Sequence, residues 1–331
     1  MRTETTLRER EAASAGPDPR RRLLIVTGVT VLAIIGYLTL GVPGGWDFVL
    51  PRRAVTLATL TLVGYSIGAS TVLFQTITHN RILTPSIMGF DALYLLIQTL
   101  LVVVLGMSGL AALGESTRFV GETLVMVLAS ALLYRWLFLG KRRNLHLLVL
   151  AGVVLGVFFQ SVSSFLQRLM SPNEFVVLQD AFFADFTGVD PTLLIVSAVV
   201  VLAVSVWGSR FLDTLDVLAL GKESAISLGV DYRRSVAQLL VIVAVLVSVS
   251  TALVGPVTLF GLVLANAAYL IAGKERHRWT LPMAALLGVC SLVGGQAILE
   301  HVFSLGTTIN VIIEFLGGIT LIVLLIRGAR T

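Results

Sequence analysis

Runs of roughly 20 apolar residues recur along this chain from Leu23 to Ile326, and no other feature narrows the possible folds as far. Each run has the length and polarity of one bilayer crossing by an α-helix. In hydrocarbon, backbone N–H and C=O groups must bond within the protein, which leaves helices or a closed barrel. Barrel strands would be half as long and would alternate apolar with polar residues, as these runs do not. Charged residues make up 13 % of the chain, with mean hydropathy +0.94, against about a quarter in a soluble domain. The expectation is an all-α polytopic membrane protein with about ten spans. They fall at 23–41, 54–77, 87–107, 119–139, 145–168, 190–208, 234–254, 257–273, 279–298 and 308–327.

Charge orients these spans. Residues 1–22 are polar, end in Arg20-Arg21-Arg22 and read as a disordered cytoplasmic tail ahead of a transmembrane region, 23–331. A signal peptide fits less well, because Leu23–Leu40 is long and no small-x-small cleavage site follows it. With the N-terminus inside and an even number of spans, both termini are cytoplasmic. All 24 Lys and Arg except Arg52, Arg53, Arg118 and Arg168 then lie inside, as the positive-inside rule requires. The pI near 9.7 is accounted for by these loops and does not call for nucleic acid. The single cysteine, Cys290, sits in an apolar run and excludes a disulfide framework.

The longest polar interruption between spans is LDTLDVLALGKESAISLGVDYRR, Leu212 to Arg234. Asp213 is placed to cap a short helix carrying Leu215 and Leu218, and Gly221 permits a sharp turn. A second short helix, Lys222 to Leu228 with Glu223 and Ala225, stops at Gly229, a residue suited to a left-handed C′ position. Leu215, Leu218, Ile226 and Leu228 leave these helices with apolar residues and few places to bury them. Either a cytoplasmic partner covers that surface or the stretch is a folded loop at the membrane.

The second span carries a small-residue face, Gly64, Ser66, Gly68, Ala69 and Ser70, followed by Gln75 and Thr78-His79-Asn80-Arg81. Gly64-xxx-Gly68 is close-packing spacing, so this helix is central and either packs tightly on a neighbour or lines a pathway. Acidic residues at membrane depth are Asp91, near the start of the third span, and Glu314, in the tenth. Intramembrane carboxylates often mark pathways or proton relays, but two isolated ones make no relay.

Chemistry-bearing motifs are missing. The Gly-Lys pairs at Gly140, Gly221 and Gly273 are followed by Arg, Glu and Glu and lack the earlier glycine of a phosphate-binding loop. There is no H-E-x-x-H and no G-x-S-x-G, and His79, His146, His277 and His301 are widely spaced. No catalytic residue, cofactor or metal site is expected, and the chain is not expected to be an enzyme.

Three blocks together resemble the membrane permeases of bacterial ATP-binding-cassette importers for iron–siderophore complexes and vitamin B12 (the FecCD type). They are GASTVLFQTITHNRILTPSIMG (Gly68–Gly89), LGKESAISLGV (Leu220–Val230) and VGPVTLFGLVLANAAYLIAG (Val254–Gly273); the ending FLGGITLIVLLIR is similar as well. The resemblance implies a BtuC-like, type II importer fold of about ten helices. It also implies a second permease subunit (the same chain or a different one), two cytoplasmic ATPase subunits and an extracytoplasmic substrate-binding protein. Segment 212–230 would be the coupling element seated in the ATPase. Arg52 and Arg53, in a Leu-Pro-Arg-Arg turn, would dock glutamates of the binding protein, unless they are ordinary interfacial arginines. A ferric siderophore would pass a small, polar, uncharged lining drawn from Gly68, Ser70, Gln75 and Asn80.

Ala265-Asn266 stands where the family has Pro-His, and Tyr269 where it has Arg. The HNRILTPSIMGFD wording is more similar to the branch for catecholate or mixed catecholate/citrate siderophores such as petrobactin. The alternatives are a vitamin B12 or haem permease of the same family, or an ion-coupled secondary transporter.

Overall fold

The computed structural model describes residues 18–41, 45–139, 145–273, 276–300 and residue 319. In chain order the helices are α1 (Pro19–Thr39), α2 (Trp46–Thr78), α3 (Phe90–Ala112), α4 (Glu115–Leu139), α5 (Leu145–Gln167) and α6 (Pro172–Asp180). They continue as α7 (Pro191–Gly208), α8 (Leu212–Leu218), α9 (Lys222–Ser227), α10 (Tyr232–Val254), α11 (Phe260–Ala272) and α12 (His277–Ile298), with 3-10 turns at Ser86–Met88 and Ser209–Phe211. Six of the described helices are long and apolar enough to cross a membrane; Phe90–Gly106 and Phe260–Ala272 are shorter apolar stretches. Apart from residue 319, the span expected at 308–327, with Glu314, lies outside the described residues, as does most of the expected tail. Helix α1 begins inside that tail at Pro19, whose missing N–H costs nothing at a first helical position, with Asp18 accepting from the Arg20 N–H. Arg22 then reaches across to donate to the Ile271 carbonyl at the C-terminal end of α11 (2.7 Å).

Helix α2 is the axis of the bundle, with α1, α7, α10, α11 and α12 packed around it. Its 33 residues span about 50 Å at 1.5 Å per residue, well beyond the hydrocarbon thickness. The Gly64-xxx-Gly68 face is used for packing inside the subunit. A Cβ on Gly64 would come within 2.7 Å of the Gly288 carbonyl carbon, and one on Gly68 within 2.7 Å of the Ala284 carbonyl oxygen. Backbones of α2 and α12 therefore touch where the small residues allow it. Helices α2 and α10 are the most enclosed of the long helices, while α1, α5 and α7 leave most of their apolar residues uncovered, as lipid-facing helices do.

Two irregular segments meet in the interior. Gly255 to Leu259 separates α10 from α11, with left-handed backbone at Leu259 (φ 61°), and Thr84 to Gly89 leads into α3. Thr258 Oγ1 donates to Asp91 Oδ2 (2.9 Å), so Asp91, in the first turn of α3, ties one segment to the other. Non-helical backbone at this depth is tolerated because it is enclosed by protein.

Candidate functional site

Between α7 and α10 the chain folds as a small platform. The turn Ser209–Phe211 runs straight into α8, so Phe211 occupies the N-cap position. Asp213 sits one residue inside the first turn, beside the N-terminal dipole rather than as the cap. Gly221 (φ 98°) turns the chain into α9, as expected. Helix α9 ends in a Schellman motif: the Gly229 N–H (φ 85°) donates to the Ile226 carbonyl and the Val230 N–H to the Ala225 carbonyl, both 3.0 Å. Asp231 then caps α10 through the Arg234 N–H (3.1 Å).

The apolar residues of the platform divide into two sets. Leu215, Leu218 and Ala225 are 0–1 % exposed and belong to the central core, whereas Leu220, Ile226 and Leu228 are 63, 54 and 62 % exposed. Leu215 and Leu218 were expected to form part of a surface for a partner. They are instead the residues that hold the platform down, because α2 and α12 supply the core that a seven-residue helix lacks. The outward face is Leu220, Lys222, Glu223, Ile226 and Leu228.

Two polar ties anchor the platform to the long helices. Asp216 Oδ1 accepts from the His277 backbone N–H (2.8 Å) and lies 2.7 Å from His277 Nδ1. A residue of α8 thus caps the N-terminus of α12, where an anionic group is favoured. A carboxylate only accepts, so Nδ1 carries the proton facing it. The other ring nitrogen, Nε2, is 2.7 Å from Thr76 Oγ1 on α2, and His277 is fully enclosed. The second tie is His79, left-handed (φ 52°) at the end of α2, whose Nε2 donates to the Leu218 carbonyl (2.9 Å) at the end of α8. Through these two ties α8 is joined directly to α2 and α12.

Beside these ties lies a cavity of about 210 Å³ bordered by Gln75, His79, Arg81, Tyr269 and His277. The Arg81 guanidinium stacks 4.7 Å over the Tyr269 ring, and Gln75 Nε2 (2.7 Å) and Asn266 Nδ2 (3.1 Å) donate to the Arg81 carbonyl. Asn266 and Tyr269 thus hold one arginine in place.

With that geometry in view, comparison with known proteins decides the family. A model of the FecCD transport family matches residues 23–327. The chain belongs to this family. The petrobactin import system permease protein YclO of Bacillus subtilis is 42 % identical over 94 % of this chain and 98 % of its own length. FatC, a petrobactin import permease of Bacillus anthracis, is 38 % identical over 84 % of this chain and 79 % of its own length. Among solved structures, a metal-chelate type ABC transporter in an inward-facing conformation superposes with TM-score 0.80 at 19 % identity, covering 93 % of this chain and 99 % of that one. This FecCD chain is accordingly a multi-pass membrane permease subunit of an ATP-binding-cassette importer.

The other expected site residues of the FecCD chain are dispersed. Gly68 packs on the α12 backbone, and Ser70, which donates to the Ile67 carbonyl, borders a cavity of about 20 Å³ with Thr71, Thr84, Ser250 and Thr251, room for one water. Gln75 is spent on the Arg81 carbonyl, and Asn80 is exposed in the turn after α2, its Oδ1 accepting from the Ile82 N–H. Within this subunit Gly68 and Ser70 face protein, while Gln75 borders the cavity beside the platform.

Arg52 and Arg53 lie on α2, not in a turn, with Pro51 accommodated in the second helical turn. Arg52 is exposed. Arg53 is 9 % exposed; its Nη1 donates to the carbonyls of Tyr37 (2.9 Å) and Leu40 (2.8 Å) at the end of α1, and it pairs with Glu300 at 3.7 Å. The free carbonyls of a helix C-terminus draw a nearby guanidinium, and Arg53 is buried against them. The sequence reading also passed over Asp216, Thr76 and a buried acid, Glu122, paired with Arg118 (3.2 Å) one turn earlier. Glu122 borders a 340 Å³ cavity at the opposite end of the bundle from the platform, with Glu115, Asp180, Asp185 and Asp190. The Arg118-xxx-Glu122 spacing was a visible signal for that pair.

Proposed function

We propose that this permease passes a ferric siderophore of the petrobactin class across the cytoplasmic membrane. In this reading two ATPase subunits dock on the platform and a substrate-binding protein docks on the outer face. A second permease subunit completes the pathway, and the transmembrane domain extends from residue 23 to 331 with both termini inside. The observation that carries the coupling role is the pair of ties, Asp216–His277 and His79–Leu218, which join the exposed platform to α2 and α12, two helices whose backbones touch. ATP-driven motion of the docked subunits would tilt α8, and α2 and α12 with it, as a rigid-body switch between access states. The substrate class rests on the names of the relatives: YclO and FatC are petrobactin import permeases. On the outer face Arg52 remains as the exposed arginine for docking a glutamate.

Uptake by cells carrying the permease with its partner subunits, measured with labelled ferric petrobactin, tests this reading. Excess unlabelled ferric siderophore of the catecholate/citrate type competes, while vitamin B12 and haem do not. Competition by vitamin B12 or haem alone would reassign the substrate.

A further inference from the structure

A groove of about 370 Å³ opens between α2, α7, α10 and α12 at the end of the bundle that bears the platform. Tyr65, Ala69 and Leu73 of α2 form its floor, and Ile242 and Leu246 of α10 one wall. Leu281, Ala285 and Leu286 of α12 face them, and small residues (Ala69, Gly208, Ala285) produce the concavity. Along both α2 and α12 the lining covers eight residues of rise, about 12 Å. It is an apolar slot long enough for part of an acyl chain.

Its surroundings specify the occupant. The rim helix α7 exposes Ile195, Val199, Leu202 and Val206, so the groove opens towards lipid rather than water. Among the lining residues Arg278 is the one with a charged side chain. It is exposed in the first turn of α12, and it makes no side-chain hydrogen bond or ion pair with another described residue. The hydroxyls of Ser205 and Ser209, also at this end, already donate to carbonyls of their own helix, Val201 and Val206. A cation at the mouth of an apolar slot at headgroup level matches the charge and shape of an anionic lipid.

We infer that this groove is a binding site for an anionic glycerophospholipid of the cytoplasmic leaflet, one acyl chain lying against Ala69 and Ala285 and the phosphate meeting Arg278. The site adjoins Ser209 and Leu212, where α7 passes into the platform, so an occupying lipid buttresses the root of the coupling helices.

Native mass spectrometry of the full-length chain, extracted in mild detergent and exposed to equal phosphatidylglycerol and phosphatidylcholine, tests the site. One arginine near an anionic headgroup corresponds to roughly fivefold preference for phosphatidylglycerol. Arg278→Gln brings that preference close to parity, and Ala285→Phe, which fills the slot, lowers retention of both lipids. Inorganic phosphate does not displace the lipid, because the acyl chain supplies much of the binding. Equal retention of the two lipids by the unaltered chain would overturn the inference. An undiminished preference in Arg278→Gln would do the same, as would disulfide cross-linking of two copies through Ala285→Cys, which would mark the groove as a subunit contact.

Discussion

Replacing Leu228 by Ala separates a docking surface from a folding core, because a chemically identical change at Leu215 has the opposite consequence. Leu215 is fully buried, so Leu215→Ala removes core contacts and leaves a cavity, a loss of about 2–5 kcal/mol. Leu228 is 62 % exposed, and its truncation changes the stability of the isolated chain by no more than about 0.5 kcal/mol. Full burial of a leucine is worth about 1.5–3 kcal/mol, so covering the exposed part of Leu228 contributes about 1–2 kcal/mol to ATPase docking. That corresponds to a roughly 5- to 30-fold weaker complex in Leu228→Ala. Thermal unfolding in detergent and titration with the purified ATPase read the two effects separately: Leu215→Ala lowers the melting temperature, and Leu228→Ala lowers affinity at an unchanged melting temperature. The reasoning fails if Leu228→Ala melts as early as Leu215→Ala, or if it binds the ATPase as tightly as the unaltered chain.

Four further outcomes follow from particular residues. Asp216→Ala removes the one oxygen that accepts from both the His277 N–H and Nδ1, so the ATPase still docks on the exposed Leu220, Ile226 and Leu228 while substrate moved per ATP falls; an unchanged ratio would show that the tie transmits nothing. Arg53→Ala strips hydrogen bonds from the carbonyls at the end of α1 and destabilises the chain by about 2–4 kcal/mol by unfolding in denaturant. Arg52→Ala leaves stability alone and weakens association with the binding protein. Glu174 is held below its ordinary pKa of 4.5 by the Ser171 backbone N–H and then by the Ser171 hydroxyl, in a capping box at the start of α6. Its folded pKa is depressed, so its stabilisation of that turn is complete above pH 4.5 and is lost as pH falls through the lowered value. Protection of the α6 amides, measured against the intrinsic exchange rate at each pH, therefore falls on acidification, and Ser171→Ala shifts the onset to higher pH.

The parts legible in the sequence are those governed by local rules. Apolar runs announce the spans because lipid admits nothing else, and Gly221 and Gly229 mark the two turns of the platform because both adopt positive φ. Gly64-xxx-Gly68 announced a close contact without naming the partner. What stayed hidden depends on residues far apart in the chain. Leu215 and Leu228 look alike on short helices, and burial is decided by which side meets α2 and α12. Asp216 and His277 are 61 residues apart, and Thr76 is 201 from His277, so no spacing rule connects them. Arg53 read as a surface charge because its acceptors are carbonyls, which carry no sequence signal. Pro51 suggested a turn, although in the second turn of a long helix its missing N–H is easily borne.

The most direct test of the central claim is uptake of labelled ferric petrobactin into proteoliposomes. These contain the permease with its ATPase, the binding protein outside and ATP inside. The coupling account predicts uptake that requires ATP, is blocked by vanadate, ignores an imposed proton gradient and fails when both Ile226 and Leu228 are replaced by Asp. Uptake driven by the proton gradient alone, indifferent to vanadate and to those two substitutions, would contradict it.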